Sequence, residues 1–322
     1  MHRSRLAAIV CVLAILAATA AQAQLPEKGL RLIVPFGGGG GIDSAARNLA
    51  QGMQQQLNRP VIVENRPGAN SVIGAKAVAD SAPDGNTMLF TSGSTVAVLP
   101  SISKDLPFDP QNDLVAVGKV ARLPFLLVVH QSVGAASFQE FLARAKAAPG
   151  KLTYASAGSG TGSHLGFELL KRDAGIDVTH IPYKATAEAL PDLLTGRVTS
   201  MMADPATARR AIADAAVRAL AVTTKDRASG FPAVPTVAEQ GLANFDLQLW
   251  FGVFVPRGTP EAVIARLNAA IGGFLRTPEG AAVFDKLGFT VDHTSPQALT
   301  ALARRENAQW ADLVRSGALK AE

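Results

Sequence analysis

The sequence predicts an α/β protein of two lobes, each a sheet flanked by helices. Short apolar runs alternate with stretches of helical periodicity, which is the pattern of layered α/β domains. The alternation runs through two cycles, separated by a break at Pro107-Phe108-Asp109-Pro110. Aromatic residues make up only 6% of the 322 residues, while glycines number 29, a composition that suits close packing of helices on sheets. A chain of this length buries enough apolar surface for two domains.

The first 23 residues are predicted to be a cleaved signal peptide. A basic stretch ending at Arg5 precedes the apolar run Leu6–Ala20, and Ala21-Gln22-Ala23 places small residues where a signal peptidase cuts. The run is shorter than the ~20 residues that a membrane-spanning helix needs. Cleavage after Ala23 also removes Cys11, the only cysteine. The exported chain therefore has no disulfide and no cysteine-bound metal.

The charge of the exported chain is mildly positive. The signal segment contains Arg3 and Arg5 and no acidic residue, so its removal lowers the formal charge from +5 by two, to +3. Such a surface suits small anions. A nucleic-acid partner is not expected, because that function needs Lys and Arg concentrated in a patch.

The elements follow in order from periodicity and from turn residues. In the first cycle, apolar runs predict strands and a one-sided apolar stripe predicts each helix, so that a parallel, doubly wound sheet is expected. The predicted strands are Leu30–Phe36, Pro60–Glu64 and Thr87–Ser92, and the predicted helices are Asp43–Leu57 and Ile73–Ala82.

The second cycle repeats this pattern and then returns to the first lobe. Its predicted strands are Leu114–Val120, Phe125–His130, Leu152–Ser156, Thr179–Pro182, Val198–Ala203 and Val217–Thr223. Its predicted helices are Ser137–Ala148 with a capping box at Ser137 and Glu140, His164–Ala174 and Ala187–Leu194, and the return consists of Leu249–Val255 and Pro260–Leu275. We assign residues 24–121 and 226–322 to lobe 1 and 122–225 to lobe 2. More than one strand crosses between lobes, so a ligand is expected in the cleft between them.

The first candidate site is a glycine run between a strand and a helix. Bare backbone N–H groups and the positive end of the helix favour an anion there, although a turn without a ligand is an alternative. The run does not spell a Walker loop, and it has Ile42 where a dinucleotide fingerprint needs its last glycine. Asp43 is a candidate N-cap that also positions the loop. The predicted ligand-binding residues here are Phe36, Gly37, Gly38, Gly39, Gly40 and Asp43.

A second loop of glycines and hydroxyl residues lies between the strand ending at Ser156 and the helix at His164. Its hydroxyl and backbone N–H groups suit a carboxylate oxygen. His164 and Glu168 have the spacing of a metal-binding pair, but one such pair is more typical of a structural role, and no metal or cofactor is predicted. The predicted ligand-binding residues here are Ser156, Gly158, Ser159, Gly160, Thr161 and His164.

Four further residues complete the predicted site. Ser92 and Ser94 lie at the end of the third strand, where open α/β sheets bind ligands. Tyr183 follows the strand Thr179–Pro182 and is expected to line the cleft, and Asp204 either receives a ligand donor or caps the next helix. A secreted hydrolase using Ser94 or Ser159 with His164 is an alternative, although no Gly-x-Ser-x-Gly elbow is spelled.

Ordered segments along most of the chain carry a family resemblance. They are Ile33–Asp43 with Ala46-Arg47, Val61–Ala69, Ala82–Thr87, Leu106–Pro110, Ala145–Ala147 with Pro149–Lys151, Ser156–Leu165, Ile181–Lys184, Val234–Thr236 with Glu239 and Gly241, and Trp250–Gly252 with Pro256 and Gly258–Pro260. In this order they resemble the substrate-binding proteins of tripartite tricarboxylate transporters, the Bug family. Gly38 stands where that family usually has proline, which leaves the loop less preorganised.

The resemblance implies a two-lobed periplasmic binding protein fold of type 2, with two crossing strands. It implies a monomeric, non-enzymatic receptor for a small carboxylate, held by the two glycine loops partly through ordered water. It also implies a membrane permease pair as partner, and an orphan receptor that feeds a sensor is the alternative. The sequence does not identify the acid.

Overall fold

We analysed a computed structural model of the chain, which describes residues 29–103, 105–228 and 230–315. The predicted signal peptide lies outside these residues. The strands are β1 (Leu30–Val34), β2 (Val61–Asn65), β3 (Thr87–Ser92), β4 (Leu114–Pro124), β5 (Leu126–His130), β6 (Thr153–Ser156), β7 (Thr179–Pro182), β8 (Ser200–Ala203), β9 (Val217–Val222), β10 (Gln248–Pro256) and β11 (Thr290–Val291). The helices are α1 (Gly41–Leu57), α2 (Val72–Ala79), α3 (Leu99–Ile102), α4 (Phe138–Ala147), α5 (Gly162–Ala174), α6 (Thr186–Leu194), α7 (Pro205–Ile212), α8 (Glu261–Leu275), α9 (Pro278–Lys286) and α10 (Pro296–Arg315).

The strands form two sheets, one in each lobe. The first sheet has the order β11-β4-β10-β3-β1-β2, and the second has the order β7-β6-β8-β5-β9. β1 lies parallel to β2 and β3, as predicted, but β10 is antiparallel to both β3 and β4. The parallel arrangement expected for the first-cycle strands is therefore confirmed, and the two strands that cross between the lobes are antiparallel to each other. The physical reason is that β4 leads the chain out of the first lobe and β10 leads it back, so the two strands run in opposite directions.

The two lobes are joined where the end of β4 lies beside the start of β10. Gln248 at the start of β10 pairs with Pro124 at the end of β4, which confirms the expected pair of crossing strands. Thr223, fully buried after β9, connects both segments. Its hydroxyl accepts the Phe125 N–H at 2.9 Å and donates to the Leu247 carbonyl at 2.9 Å. One buried side chain thus satisfies backbone groups of both connections between the lobes.

The apolar cores lie between each sheet and its helices. In the first lobe, Leu32 of β1 packs with Leu49 of α1 and Leu267 of α8. In the second, Val237 and Phe245 pack with the core of its own sheet. Val237 and Phe245, which the sequence assigned to lobe 1, therefore lie in the core of the second lobe, and the chain returns to the first sheet at Gln248. The exact lobe boundaries remain a prediction.

Element boundaries differ from the sequence-based prediction at several helix starts and at the end of β4, which extends to Pro124, four residues past its predicted end. α1 begins at Gly41 and α5 at Gly162, two residues before each predicted start. Ser137 caps α4 by accepting the Glu140 N–H, as expected, but the Glu140 carboxylate accepts the Ala136 N–H rather than completing the box at Ser137. Among the described residues, no helix has the length and apolar character needed to cross a membrane.

Candidate functional site

The first glycine loop leads from β1 into α1 with little side-chain cover. Gly40 is the N-cap residue of α1, and no side chain caps the helix. Gly37 and Gly40 have no heavy atom within 4 Å of where a side-chain Cβ would stand, and Gly39 has a φ of +83°. The first N–H groups of a helix have no partner within the helix, so an uncapped start bordered by open space suits an anion.

Asp43 stabilises this loop from inside the helix. The sequence suggested Asp43 as the N-cap, and this prediction is wrong. α1 starts earlier, so Asp43 stands in its first turn. One carboxylate oxygen accepts the Gly39 N–H at 3.0 Å and the Arg47 Nε–H at 2.9 Å, and the other accepts the Asn65 amide at 2.9 Å. Burial raises the pKa of Asp43, but these hydrogen bonds outweigh that effect and hold its pKa below the usual value. The carboxylate therefore remains charged and positions the loop.

The second loop is held by hydroxyl and imidazole groups on its inner side. Ser156 is fully buried, and its hydroxyl accepts the Gly158 N–H at 3.0 Å. Gly160 donates its N–H to His164 Nδ1 at 3.1 Å, and Thr161 donates its hydroxyl to the Gly158 carbonyl at 2.6 Å. Thr161 is the N-cap residue of α5 but makes no side-chain cap. A second helix start is thus left open to an external acceptor.

His180 of β7 supports this loop, although the sequence did not point to it. Its Nε2 lies 2.6 Å from Ser156 Oγ, and its ring lies 4.3 Å from the His164 ring and 4.8 Å from the Tyr154 ring, measured between centroids. Burial, together with the charge of His164, lowers the pKa of His180 to about 4. A neutral imidazole therefore fixes the Ser156 hydroxyl. The only sequence signal was its position two residues from the end of a strand that pairs with β6.

Glu168 is part of the same cluster and is not free to bind a metal with His164. Its Oε1 accepts the Tyr154 hydroxyl at 2.6 Å and the Lys171 ammonium at 2.8 Å. Burial raises the pKa of Glu168, but the hydrogen bonds from Lys171 and Tyr154 outweigh it and keep the pKa below the usual value. The His164–Glu168 spacing therefore serves a structural network.

A third segment at the cleft, after β2, has an unusual backbone. Ala69, Asn70 and Ser71 have φ values of 45°, 52° and 78°, a left-handed region that non-glycine residues seldom enter. Each such residue costs of the order of 1–3 kcal/mol, and the conformation persists only where the surroundings enforce it. A buried chain of hydroxyls does so, since Thr91 and Thr95 lie 2.7 Å apart, Thr95 and Ser71 lie 2.8 Å apart, and Ser71 donates to the Asn70 carbonyl.

The lobes approach each other around these loops. A Cβ atom on Gly158 of the second lobe would lie 3.9 Å from Asn70 Oδ1 of the first. A Cβ on Gly41 of the first lobe would lie 4.0 Å from Ala206 of α7 in the second. Leu165 of α5 packs with Ile102 of α3 across the same boundary. Both glycine loops therefore border the cleft between the lobes.

The remaining predicted residues divide between the cleft and internal contacts. Asp204 caps α7 by accepting the Thr207 N–H at 3.0 Å, and it also accepts the Thr186 hydroxyl at 2.7 Å, which confirms the capping alternative. Tyr183 donates its hydroxyl to Asp192 at 2.7 Å. Ser92 is almost fully buried, whereas Ser94 is partly exposed beside the crossing strand. Their contacts with a ligand, like those of the loops, stay predictions.

A separate groove opens between the lobes beside the crossing strands. Its volume is about 430 Å³, and Arg122, Arg209 and Arg227 contribute positive charge to its lining. Arg209 is already engaged, because its guanidinium lies 4.9 Å from the Phe231 ring centroid and donates to the Gly230 carbonyl. The lining residues do not include those of the glycine loops. This groove is therefore the natural comparison site in a binding experiment.

Comparison with known proteins decides the family. Residues 45–319 match the sequence profile of the tripartite tricarboxylate transporter family receptor. The chain belongs to this family. Protein BugT of Bordetella pertussis is 35% identical over 324 residues, which cover 99% of each chain. The Bug-family resemblance seen in the sequence is thus confirmed, and the family is one of periplasmic solute receptors rather than enzymes.

Solved structures of the receptor family show the same fold. The R. palustris protein Rpa4515, determined with adipate, has 30% identity and a TM-score of 0.85, and the match covers 91% of this chain and 98% of that one. MatC of Rhodopseudomonas palustris, determined with bound malate, has 31% identity and a TM-score of 0.82, and the match covers 90% and 99%. The two-lobed α/β fold predicted from the sequence is therefore confirmed.

Proposed function

We propose that this protein is a periplasmic receptor that closes its two lobes on a small carboxylate for uptake. The observation that carries the proposal is the pair of uncapped helix starts, at Gly41 and Gly162, that border one cleft from opposite lobes. Each presents unpaired N–H groups and the positive end of a helix dipole, which together favour a carboxylate. Relatives of 30–31% identity hold adipate and malate, which supports this ligand class.

Binding follows from backbone groups rather than from a charged side chain. The loops are held in place by Asp43 in one lobe and by Ser156 and His164 in the other. Closure of the lobes removes water from the cleft and strengthens hydrogen bonds to the charged carboxylate. An ordered water can bridge the acid to a loop and relay a hydrogen bond from the same backbone N–H groups. A membrane permease is the proposed partner, and a sensor is the alternative.

The first test compares two variants of the receptor. Gly37→Val places a branched side chain in open space at a residue without positive φ, so it blocks close approach to the loop without straining the backbone. We expect binding of malate, adipate and citrate to be lost by isothermal titration, while unfolding remains close to wild type. Arg209→Ala in the separate groove is the matched control and should bind as wild type does.

The outcomes separate the two locations. Wild-type affinity in Gly37→Val with loss of binding in Arg209→Ala would place the acid in the groove instead of the loops. A wild-type protein that shows no heat and no thermal shift across the acid panel would remove the proposed function. A bound ligand at 100 times its Kd should raise the free energy of unfolding by about 2.7 kcal/mol, a readily measured shift.

A further inference from the structure

The turn Ala69–Ser71 has a left-handed backbone that is energetically unfavourable for residues other than glycine. Three successive non-glycine residues adopt positive φ, although glycine would adopt the same backbone without steric conflict. Gly68, directly before them, also has positive φ, so the chain does use glycine in this turn. The buried hydroxyls of Thr91, Thr95 and Ser71 stabilise the conformation. Asn70 stands where glycine would be free of backbone strain, which motivates a hypothesis of function for its side chain.

The position of Asn70 indicates what that chemistry does. Asn70 is exposed, whereas the neighbouring Ser71 is buried. Asn70 Oδ1 lies 3.9 Å from where a Cβ of Gly158 would stand, so the carboxamide of the first lobe faces the second loop across the cleft. Gly158 has a φ of 114° and donates its N–H to Ser156, so this part of the second loop is itself held in place.

We infer that Asn70 is a specificity-determining residue, whose carboxamide binds a second polar group of the acid held between the loops. This inference rests on the proposed function. A carboxamide carries two N–H donors and one acceptor and no charge. It therefore pairs with a hydroxyl or with a second carboxylate. Acids with a polar group at both ends are favoured over acids with an apolar tail.

The test uses Asn70→Gly and Asn70→Asp in the full-length secreted protein, with malate and adipate as probes. Asn70→Gly removes the carboxamide at a backbone conformation that glycine adopts freely, so Tm should be equal to or above wild type. Affinity for the better-bound probe should fall about tenfold, as expected for loss of a hydrogen bond to a charged or strongly polar group. Asn70→Asp keeps the size but introduces a negative charge, and should weaken binding more than the glycine variant does.

Asn58→Gly is the matched control. Asn58 also has positive φ, 51°, but it ends α1 at the surface and makes its cap with Gln54. This replacement should preserve or raise Tm in the same way, with affinity unchanged. Loss of affinity in Asn70→Gly alone supports the inference, because relief of backbone strain is common to both variants.

Three results would overturn it. Wild-type affinity in Asn70→Gly would show that the carboxamide does not contact the acid, and so would unchanged affinity in Asn70→Asp. In both cases wild-type binding of malate or adipate would leave the proposed function standing. A wild-type protein that binds neither probe nor any other acid of the panel would overturn the proposed function and this inference together.

Discussion

Asp43 and His180 each position a glycine loop through backbone groups. Asp43 accepts the Gly39 N–H in the first loop, and His180 holds the Ser156 hydroxyl that accepts the Gly158 N–H in the second. Glycine loops have high conformational entropy, so such tethers determine whether backbone donors point at a ligand before it arrives. At the residue scale, the quality of this site depends on side chains behind the loops.

Replacement of Asp43 tests the first tether. Asp43→Asn retains the size of the side chain but removes the charge that pairs with Arg47 and that accepts the Gly39 N–H. The free energy of unfolding should therefore fall by about 1–3 kcal/mol in urea titrations at pH 7. Asp80→Asn, which breaks an exposed ion pair with Lys76, is the control and should change it by less than about 1 kcal/mol. Equal effects in both variants would contradict the special role of Asp43.

The pH dependence of stability tests the second tether. The pKa of His180 lies near 4 in the folded protein, below its usual 6.5. As pH falls from 6.5 towards 4, the unfolded chain gains a proton that the folded protein excludes, so the free energy of unfolding falls over this window. His180→Asn should flatten this part of the profile, measured by urea unfolding at stepped pH. An unchanged slope would show that His180 is not the group responsible.

At the scale of elements, the starts of three helices lie near the cleft. α1 and α5 begin inside their glycine loops, which brings their unpaired N–H groups to the cleft. α7 also starts near the cleft, but Asp204 already caps it and adds negative charge. Two of these three helix starts are therefore suited to an acid, and the third is not.

The joint between the lobes offers a prediction at the same scale. Thr223→Val keeps the shape but leaves the Phe125 N–H and the Leu247 carbonyl without their side-chain partner. We expect the free energy of unfolding to fall by about 1–3 kcal/mol, the cost of buried unsatisfied groups, measured in urea. Thr195→Val, at an exposed hydroxyl after α6, should have little effect. No difference between the two would mean that Thr223 is not needed at the joint.

At the scale of the whole molecule, two sheets joined by paired strands leave a cleft between the lobes. Contacts such as Leu165 with Ile102 show that the lobes meet on one side of the loops. The proposed lobe closure would couple ligand capture to a change of shape that the proposed membrane partner recognises. The receptor family is periplasmic, so export precedes all of these steps.

Export of this chain gives the prediction at that scale. Expressed from its own start codon, the protein recovered from the periplasm should begin at Gln24, as intact-mass spectrometry would show. Ala23→Leu removes a small residue from the cleavage site and should leave the longer precursor. A periplasmic chain that still carried its first 23 residues would contradict the proposed cleavage.

Several parts of the fold were predictable because their signals are local. Thr87–Ser92 and Thr179–Pro182 were predicted with the bounds they have in the structure. The antiparallel direction of β10 was not predicted, because its pairing with β4 depends on where the chain crosses between lobes. His180, which holds Ser156 of the second loop, was missed because it lies outside the glycine loops and reaches them only through tertiary packing. Asn70, the proposed specificity residue, was missed for the same reason.

The sequence by itself predicted a signal segment, a two-lobed α/β fold and glycine loops that suit an anion. Those features follow from apolar periodicity, turn residues and the signal segment, each of which acts over a short stretch of chain. Only the tertiary structure decided that Asp43 ties the first loop, that Asp204 is occupied as a cap and that Asn70 faces Gly158. These relations depend on distances between residues far apart in the chain, which local patterns do not encode.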